Sequence, residues 1–369
     1  MLRQTWLEIY TENLRLNYRE VKRIIQENCE IIAVVKSNAY SHGAVKTAQI
    51  LESEGCNWFA VATPEEALEL RQKGISGKIL VLTASPKEAA EEYIKEDIHS
   101  SCGDFLFLEH MNRTALSMGK KAKIHLKFDT GLSRTGFQGR ELSQLCDLLD
   151  RSQGISIHGA YSHFATADEE NPAYTRWQFS RFTDFMAILE KRGYSIDFKH
   201  ICNSPGIVNF PEYCLDAVRP GNLLYGLPSG RRSREIHIRP TCSFKTKIAL
   251  IRNLEPRTGV GYGLKYMTRG EERTGILPVG FYDGMSRLLS GRAEVIVRGK
   301  RAPVIGNICL DQTIINLESV PEAEEGDEVV LFGRQEEEEI TIKEIADSLD
   351  TIVTQVLSFV TSRVPRIYI

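Results

Sequence analysis

Short β-branched runs alternate with stretches of helical apolar spacing through the first two thirds of the chain. The β-branched runs predict eight strands: Ile31–Lys36, Trp58–Thr63, Lys78–Thr83, Ile98–Cys102, Lys123–Phe128, Ile155–Tyr161, Phe198–Cys202 and Ala217–Arg219. Helical spacing lies between most of them, as at Pro64–Lys73, Pro86–Lys95 and Tyr174–Arg192. Eight strand–helix units in about 200 residues are typical of a (β/α)8 TIM-type barrel. A doubly wound open sheet seldom reaches that number, so we predict an α/β fold with an N-terminal barrel.

The pattern changes after about Leu227. Helical spacing fades, and strand-like runs separated by Gly-rich or charged turns follow: Ser243–Ile251, Thr274–Val279, Ala293–Val297 and Glu328–Phe332. One short helix and a last strand are then predicted, at Ile342–Ser348 and Arg363–Ile369. We therefore predict a barrel domain over residues 1–230 and a mainly-β C-terminal domain over residues 231–369. The strand-like segment Thr5–Tyr10 precedes the barrel, and we expect it to pair with the C-terminal domain.

The composition is that of an ordinary globular protein and excludes several functional classes. Hydrophobic residues make up 42% of the 369 residues, charged residues make up 26%, and the formal net charge is −3. A net charge this small does not indicate a surface that binds nucleic acid or an anionic membrane. No stretch approaches the roughly 20 apolar residues that a membrane-spanning helix requires. The eight cysteines include no C-x-x-C pair, which argues against a disulfide framework or a zinc ribbon. We expect a cytoplasmic protein with reduced thiols and with neither a nucleic-acid nor a membrane partner.

A lysine closes the first apolar strand of the predicted barrel. The side chain of Lys36 should point into the mouth at the carboxyl ends of the strands, where barrels keep their active sites. Desolvation there would lower the pKa of the lysine and make its amine nucleophilic, as a Schiff base requires. Taken alone, such a residue is more often a lysine that snorkels from a strand end. The residues around Lys36 therefore decide between the two interpretations.

The segment from Ala33 to Gly43 reads A-V-V-K-S-N-A-Y-S-H-G. It resembles the pyridoxal-phosphate lysine motif of the alanine racemase family, a group of fold-type III enzymes in which this motif usually reads A-V-V-K-A-N-A-Y-G-H-G. The resemblance implies that Lys36 carries pyridoxal 5'-phosphate and that Tyr40 also contacts this cofactor.

The end of the fifth strand resembles a second motif of the same family. The segment from Lys127 to Gly136 reads K-F-D-T-G-L-S-R-T-G, which is similar to K-x-D-T-G-M-x-R-x-G. The resemblance implies that Arg134 contacts the phenolic oxygen of the cofactor and the carboxylate of the substrate, a role that suits its planar fork of donors. It also makes Lys127 a candidate for carbamylation, as in some family members. Unmodified, Lys127 would be expected to pair with a carboxylate.

The end of the sixth strand resembles a third motif. The segment from Tyr161 to Asp168 reads Y-S-H-F-A-T-A-D, close to the family's Y-T-H-F-A-T-A-D. An inward histidine taken alone is more often a satisfied core residue than a catalyst. The resemblance places His163 beside the pyridine ring, where it orients neighbouring donors. No second histidine or carboxylate stands at ligand spacing, so we predict no metal site.

Small residues follow the last two predicted strands, in the segments from Asn203 to Gly206 and from Val218 to Asn222. Many barrels bind phosphate at these adjacent loops through backbone N–H groups. The resemblance implies phosphate contacts from a serine, a glycine and the residue after that glycine: Ser204, Gly221 and Asn222. The family usually has an aliphatic residue at the last position, and a backbone contact would tolerate the asparagine.

Arg219 says most about mechanism. In the family the equivalent arginine donates to the pyridine nitrogen of the cofactor. Arginine stays protonated and has no acceptor, so this nitrogen must remain an acceptor without a proton. An unprotonated ring is a weaker electron sink than the pyridinium that an Asp or Glu partner would hold. Prompt return of a proton to Cα is then favoured over transamination, which suits a racemase.

Racemisation needs a proton donor and acceptor on each face of the reacting carbon. Lys36 can serve one face. The segment from Thr258 to Gly263 resembles the family's V-S-Y-G loop, whose tyrosine is the opposing base, so the resemblance gives this role to Tyr262. In the family this tyrosine reaches the active site of the other subunit. The resemblance therefore implies a homodimer whose active sites are shared across the interface.

Two further motifs extend the resemblance over essentially the whole chain. G-N-I-C-L-D-Q begins at Gly306 and R-V-P-R begins at Arg363, matching the family's G-x-I-C-M-D-Q and R-V-P-R. Leu310 stands where the family has methionine, a backbone contact to substrate that leucine could preserve. Thr354 stands where the family has a tyrosine that borders the substrate and touches the phosphate, so we expect a wider pocket.

The resemblance favours an alanine racemase that interconverts L-alanine and D-alanine and supplies D-alanine for peptidoglycan. A serine racemase or a racemase of broader specificity is the alternative that Thr354 suggests. A pyridoxal-phosphate amino-acid decarboxylase would want an acidic partner for the pyridine nitrogen, and Arg219 speaks against it. A pyridoxal-phosphate carrier protein built on a lone barrel would lack the second domain that contains Tyr262.

Overall fold

The computed structural model of the chain describes residues 2–227, 229 and 236–369. Two compact units make up the chain. The barrel unit consists of Asn13–Ala39 and Ala44–Arg239. The sheet unit consists of Met1–Glu12, Tyr40–Gly43 and Pro240–Ile369. The predicted domain boundary between residues 230 and 231 lies outside the described residues.

Strand β1 (Trp6–Ile9) belongs to the sheet unit, and the eight strands after it form the closed barrel. The barrel strands are β2 (Glu30–Val34), β3 (Trp58–Val61), β4 (Lys78–Val81), β5 (His99–Cys102), β6 (Ala122–Lys127), β7 (Ile155–Tyr161), β8 (Lys199–Asn203) and β9 (Ala217–Arg219). Neighbouring strands are parallel, and β9 pairs with β2 to close the ring. The predicted TIM-type barrel is confirmed.

Helix α1 precedes the first barrel strand, and helices follow most of the barrel strands. The helices are α1 (Thr11–Ile24), α2 (Lys36–Tyr40, wound as a left-handed turn), α3 (Ala44–Ser53), α4 (Pro64–Gln72), α5 (Ala90–Lys95), α6 (Phe105–Ser117), α7 (Leu142–Asp150), α8 (Ala173–Lys191) and α9 (Ser204–Asn209), with short 3-10 helices at Lys87–Ala89, Gly139–Glu141 and Pro211–Tyr213. Helix α1 shows why they form, because Leu14, Tyr18 and Val21 recur at helical spacing and are all buried. None of the helices in the described part of the chain is long and apolar enough to cross a membrane.

The sheet unit is mainly β, as predicted. Its further elements are β10 (Cys242–Lys247), β11 (Leu250–Leu254), β12 (Gly259–Val260), β13 (Tyr266–Met267), β14 (Glu272–Leu277), β15 (Glu294–Val297), β16 (Lys300–Ile305), β17 (Thr313–Asn316), β18 (Glu328–Gln335), β19 (Glu338–Ile340), α10 (Ile342–Ser348), α11 (Val353–Ser358) and β20 (Arg366–Tyr368), with 3-10 helices at Tyr262–Leu264 and Arg287–Leu289. The main sheet has the order β11-β14-β17-β16-β15-β18-β10-β1-β20, with β19 paired to β18. Strand β1 pairs antiparallel with β10 and parallel with β20. Strands β12 and β13 pair only with each other in this topology.

Two expectations about strand boundaries are corrected. Strand β2 ends at Val34, so Lys36 lies in the turn after the strand rather than at its end. The predicted strand Ser243–Ile251 is two strands, because the chain leaves β10 before Ile248, whose amide donates to the carbonyl oxygen of Asp327 at 3.0 Å. This break allows β10 to pair with β18 while β11 pairs with β14 at the far edge of the sheet.

Helix α4 begins with a reciprocal pair of hydrogen bonds. The hydroxyl of Thr63 accepts from the amide of Glu66, and the Glu66 carboxylate accepts from the amide of Thr63, both at 3.3 Å. Pro64 occupies the first helical position, where its missing N–H costs nothing. The same carboxylate accepts from the amide of Ser37, so this helix start also supports the turn that follows β2.

Removal of the cap should destabilise the protein locally. Thr63→Ala leaves an amide at the start of α4 without its acceptor, and we expect a loss of about 1 kcal/mol in the free energy of unfolding. Thr183→Ala is the matched control, because Thr183 is exposed on α8 and alanine favours a helix. Urea unfolding of both variants measures the difference, and an equal effect of the two substitutions would contradict the role of the cap.

Candidate active site

The carboxyl ends of the barrel strands carry most of the predicted site residues. Eight of these residues belong to the barrel unit: Lys36, Lys127, Arg134, His163, Ser204, Arg219, Gly221 and Asn222. The other four belong to the sheet unit: Tyr40, Tyr262, Leu310 and Thr354. In the barrel unit the structure brings three cationic side chains close enough to Lys127 for their charges to lower its pKa: Lys36, Arg134 and Arg219.

The backbone after Lys36 forms a left-handed turn. Five consecutive residues, none of them glycine, have φ between 52° and 70°: Ser37, Asn38, Ala39, Tyr40 and Ser41. An L-residue in this region costs roughly 1–2 kcal/mol, so other contacts must hold the turn. The carboxylate of Glu66 accepts from the amide of Ser37 at 2.5 Å, and the side chain of Asn38 accepts from the amide of Ala44 at 2.9 Å. Strain of this kind concentrates at functional sites.

The environment of Lys36 makes its amine more nucleophilic. Burial lowers the pKa of Lys36 below its ordinary value, the positive charge of Arg134 lowers it further, and Glu66 opposes both effects. A lowered pKa increases the fraction of neutral amine at neutral pH, and the neutral amine is the form that attacks a carbonyl group.

Lys127 is buried at the end of β6 and has few polar partners. Its Nζ donates to the carbonyl oxygen of Leu82 at 3.4 Å and lies 5.5 Å from the centre of the Tyr161 ring. Burial and the neighbouring cations lower the pKa of Lys127 to about 8, with burial as the largest cause. The carboxylate partner expected of an unmodified lysine is not found among the described residues.

Arg134 lies on the loop after β6. The Asp129 carboxylate shapes this loop by accepting from the amides of Gly131 and Ser133, at 3.0 and 2.9 Å. The side chain of Arg134 is exposed, and within the described part of the chain it has no hydrogen-bond or ion-pair partner. Its donors are therefore available to an anion such as a carboxylate.

Arg219 is a buried guanidinium surrounded by uncharged acceptors. Only 3% of the residue is exposed. Its Nη1 donates to Nδ1 of His200 at 2.5 Å, and its Nη2 donates to the carbonyl oxygens of Ser162 and Ile201 and to Nδ1 of His163, at 2.6, 3.0 and 3.2 Å. Burial lowers the pKa of Arg219 to about 10, which leaves it cationic at neutral pH. Its Nε–H has no acceptor among the described residues and can donate to a ligand.

His163 is held as a neutral ring between Arg219 and the core. Burial, followed by the charges of four nearby cations, lowers the pKa of His163 well below its ordinary value. Because Nδ1 accepts from Arg219, a neutral ring carries its proton on Nε2. The backbone oxygen of His163 accepts from Gln178, which also donates to Thr130 and so links the loops after β6 and β7.

Ser204 joins the loops after β8 and β9. Its hydroxyl oxygen accepts from the amides of Gly221 and Leu223, at 3.0 and 3.3 Å, and the residue is buried. Both accepted bonds use the oxygen lone pairs, so the O–H remains free to donate. Asn222 lies half-buried in the same turn.

These residues fit pyridoxal phosphate. The cofactor carries a phosphate, a phenolic oxygen and a ring nitrogen, and an amino-acid substrate adds a carboxylate. The barrel unit offers four cations, a serine hydroxyl beside backbone amides, and an arginine N–H for which the described residues provide no acceptor. A cluster of like charges is costly until anions enter it, so the site is suited to a multiply anionic ligand.

Comparisons with known proteins agree over the full chain. Models of the N-terminal and C-terminal domains of alanine racemase match residues 9–229 and 241–368. The chain belongs to the alanine racemase family. It is 42% identical to alanine racemase 2 of Caldanaerobacter subterraneus subsp. tengcongensis, over 100% of this chain and 95% of that protein.

Two solved structures of alanine racemases have the same fold. The alanine racemase of Bacillus anthracis with bound L-Ala-P gives a TM-score of 0.96 at 33% identity and covers 100% of this chain and 96% of that one. The alanine racemase of Clostridium difficile 630 gives a TM-score of 0.93 at 36% identity, with the same coverage.

The predicted site residues of the sheet unit differ in exposure to solvent. Tyr262 begins a 3-10 turn between two glycines with positive φ, and 74% of its surface is exposed. Leu310 is exposed, and its carbonyl oxygen accepts from the amide of Tyr282 at 3.1 Å. Thr354 is half-buried in α11. Tyr40 is half-buried, and burial raises the pKa of its hydroxyl to about 12.

Three further residues of the barrel unit support the site. His200 accepts from Arg219, Tyr161 stacks on His200, and Gln178 connects two loops. Tyr161 opens the third motif but was given no role there, whereas no motif indicated His200 or Gln178. For His200 the signal in the sequence was a polar residue inside a barrel strand, in K-H-I-C-N of β8. Such a residue must find a partner inside the barrel.

The charge of Arg134 should be measurable at Lys36. Arg134→Gln removes a neighbouring cation, so protonated Lys36 becomes less unfavourable and its pKa rises. In cofactor-free protein, the pH at which Lys36 is half-maximally acylated by acetic anhydride should therefore move upward. Arg140→Gln, a substitution of an exposed arginine on the following turn, is the control. Identical pH profiles for wild type and Arg134→Gln, read by mass spectrometry, would contradict the coupling.

Proposed function

We propose that this protein is a pyridoxal-phosphate-dependent alanine racemase that interconverts L-alanine and D-alanine and supplies D-alanine for peptidoglycan. The observation that carries the proposal is Arg219, a buried cation whose hydrogen-bond partners among the described residues are all uncharged acceptors. The charges of Arg219 and Lys36 both act on Lys127 and on His163. The chain that contains them matches alanine racemase 2 of Caldanaerobacter subterraneus subsp. tengcongensis over its whole length.

The predicted site residues of the barrel unit have separate roles in this proposal. Bound pyridoxal phosphate supplies an electron sink that makes the Cα proton of the amino acid removable. Lys36 holds the cofactor until substrate replaces it, and its released amine then takes or returns a proton at Cα. Arg134 pairs with the substrate carboxylate and the phenolic oxygen. The Ser204 hydroxyl and the amide of Asn222 hold the phosphate. The amide of Gly221 donates to the Ser204 hydroxyl at 3.0 Å, so it would share its hydrogen between the serine and the phosphate.

Arg219 restricts the chemistry to proton transfer. The guanidinium has no acceptor, so the ring nitrogen it meets must accept a hydrogen bond and remains without a proton. A ring nitrogen held without a proton would supply only a modest electron sink, which would favour the return of a proton to Cα over transfer of the amine. His163 is neutral and accepts from Arg219, so it holds the guanidinium without adding charge.

Tyr262 is the base for the opposite face. A single base would return the proton to the face it came from, whereas two opposed bases invert the carbon. Tyr262 lies on an exposed turn whose neighbours Leu264 and Met267 are also exposed. Exposed apolar residues beside a catalytic candidate are typical of an interface. We therefore propose a homodimer in which each Tyr262 completes the active site of the partner.

Lys127 is the proposed site of a carbamate. A carbamate forms from a neutral amine and carbon dioxide, and a pKa of about 8 leaves a useful fraction of neutral amine. The product is an anion, and it would offset the positive charges of Lys36, Arg134 and Arg219 that act on this position. Labelled carbon dioxide should give a carbamate signal that Lys127→Ala abolishes.

The domain boundary and the cellular location complete the proposal. We place the end of the barrel domain at residue 230 and the start of the C-terminal domain at residue 231, with β1 as an N-terminal strand that pairs with β10 and β20. A cytoplasmic location is supported by the cysteines, because all eight are free and seven of them are buried.

A substrate panel tests the proposed function. Purified holoenzyme should abolish the optical rotation of L-alanine and of D-alanine, and Lys36→Ala should do neither. Release of carbon dioxide without racemisation would identify a decarboxylase instead. A protein that binds the cofactor but changes no amino acid would be a carrier.

Mixing two inactive variants tests the shared active site. Lys36→Ala and Tyr262→Phe should each abolish racemisation in the homodimer. In a mixed dimer one site loses both groups and the other keeps both, so random exchange of subunits should restore about a quarter of wild-type activity. Activity that does not return, although mass spectrometry detects the mixed dimer, would place both groups in the same subunit.

Thr354 should widen the substrate pocket. Threonine keeps a hydroxyl but lacks the ring of the family's tyrosine, so side chains larger than a methyl group should be accepted. We expect Thr354→Tyr to lower kcat/KM for serine about tenfold relative to alanine, the effect of roughly 1.4 kcal/mol of lost fit. Ser358→Tyr, on an exposed position of the same helix, is the control. An overwhelming preference for alanine that Thr354→Tyr leaves unaltered would contradict the prediction.

A further inference from the structure

A string of hydrogen-bonded side chains extends from Arg219 into the core of the barrel. Nη1 of Arg219 lies 2.5 Å from Nδ1 of His200, and Nε2 of His200 lies 3.0 Å from Nδ1 of His125. Both histidines are fully buried, on strands β8 and β6. Neither belongs to the groups proposed above for binding or proton transfer.

The hydrogen bonds of this string can have only one order of donation, from Arg219 to His200 to His125. Arginine only donates, so Nδ1 of His200 must accept. A neutral His200 therefore carries its proton on Nε2 and donates to Nδ1 of His125, which leaves the proton of His125 on its own Nε2. Burial, followed by neighbouring charges and imidazoles, lowers the pKa of both histidines well below the ordinary value, so both rings are neutral.

The ring of His200 is held in place by a second aromatic ring. Tyr161 stacks on it with a centroid distance of 4.8 Å and an interplanar angle of 8°. The hydroxyl of Tyr161 is itself held by Ser101 at 2.7 Å and by the carbonyl oxygen of Leu82 at 3.0 Å. The stacked pair prevents His200 from turning away from Arg219.

The barrel makes room for His125 by local irregularity. The register of β6 against β7 shifts between Ile124 and His125, and the residue opposite His125 is Gly159. A Cβ on Gly159 would lie 2.7 Å from Nδ1 of His125 and 2.7 Å from the carbonyl oxygen of Phe198. A glycine inside a strand weakens the strand, so its presence here indicates that the close approach of the His125 ring is required.

The far end of the string is Nε2 of His125, which makes no hydrogen bond within the described part of the chain. The centroid of the His125 ring lies 5.3, 5.3 and 5.9 Å from the ring centroids of Trp58, His99 and Phe198. A buried N–H without an acceptor is unfavourable, and an apolar residue would fill the same space without this cost. The contact that compensates for this cost is the hydrogen bond at the other side of the ring, where Nδ1 of His125 accepts from His200.

We propose that His200 and His125 are positioning residues that hold Arg219 as a donor of fixed direction toward the ring nitrogen of the cofactor. If His200 carried its proton on Nδ1, that N–H would face the guanidinium and turn it aside. Arg219 fixes the tautomer of His200, and His125 accepts from Nε2 of that tautomer and so holds the ring where its Nδ1 meets the guanidinium. The inference rests on the proposed function, because it assigns a purpose to the orientation of Arg219.

The first test needs no substitution. Nitrogen-label NMR of the histidine rings in the wild-type holoenzyme should show His200 and His125 as neutral Nε2–H tautomers whose Nδ1 atoms accept hydrogen bonds, across the neutral pH range. An Nδ1–H tautomer or an imidazolium at either residue would overturn the proposal.

The second test uses a pair of variants of similar size. His125→Asn places an amide oxygen where Nδ1 accepts, whereas His125→Leu offers no acceptor. We expect His125→Asn to keep the nitrogen resonance of the bound cofactor ring and to rescue kcat. His125→Leu should shift that resonance and lower kcat about tenfold with little change in KM, the loss of one well-placed hydrogen bond. His158→Leu, a half-buried histidine of β7 outside the string, should leave the resonance in place.

A merely structural role gives a different result. Both His125 variants would then lower the melting temperature while the ring-nitrogen resonance stays where it is in the wild type, which would overturn the proposal. If neither variant folds, the NMR measurement of the histidine tautomers in the wild-type holoenzyme decides for or against the proposal. Failure of the proposed function is seen separately, because a protein that neither binds pyridoxal phosphate nor racemises alanine fails before any variant is made.

Discussion

Arg219 brings a positive charge into the barrel, and every described group to which it donates a hydrogen bond is an uncharged acceptor. A buried charge without a partner of opposite sign is costly, so the donors of Arg219 need acceptors around them. Among the described residues, two backbone oxygens and the Nδ1 atoms of His163 and His200 accept from its two terminal nitrogens. This requirement fixes the tautomers of His163 and His200 and leaves the Nε–H of Arg219 for a ligand that can only accept.

The same constraint explains the charge of the pocket. Lys36, Lys127, Arg134 and Arg219 together make the electrostatic potential of the pocket positive. Burial lowers the pKa of both lysines. The site is therefore most stable with anions in it, and a phosphorylated cofactor with a carboxylate substrate supplies them. Nucleophilicity at Lys36 and affinity for anions have one physical origin, the concentration of cations at the mouth of the barrel.

Much of this arrangement could be predicted from the sequence, because barrel strands are buried on both faces and stand out as apolar runs. Strand Ile155–Tyr161 and helix Ile342–Ser348 agree with the structure to the residue. Strand Lys300–Ile305 was missed because it begins with charges and contains Pro303, which argues against a strand. The left-handed turn after Lys36 could not be foreseen, since it contains no glycine and depends on a contact from Asn38 to Ala44 and on a long-range contact from Glu66.

The most direct test of the account is to identify the amine that holds the cofactor. Borohydride reduction of the holoenzyme fixes pyridoxal phosphate to that amine, and peptide mapping then locates the label. The account predicts that the label lies on Lys36 alone, although Lys127 is also buried and has a lowered pKa. A label on Lys127 or on any other lysine, or no retained label at all, would contradict it.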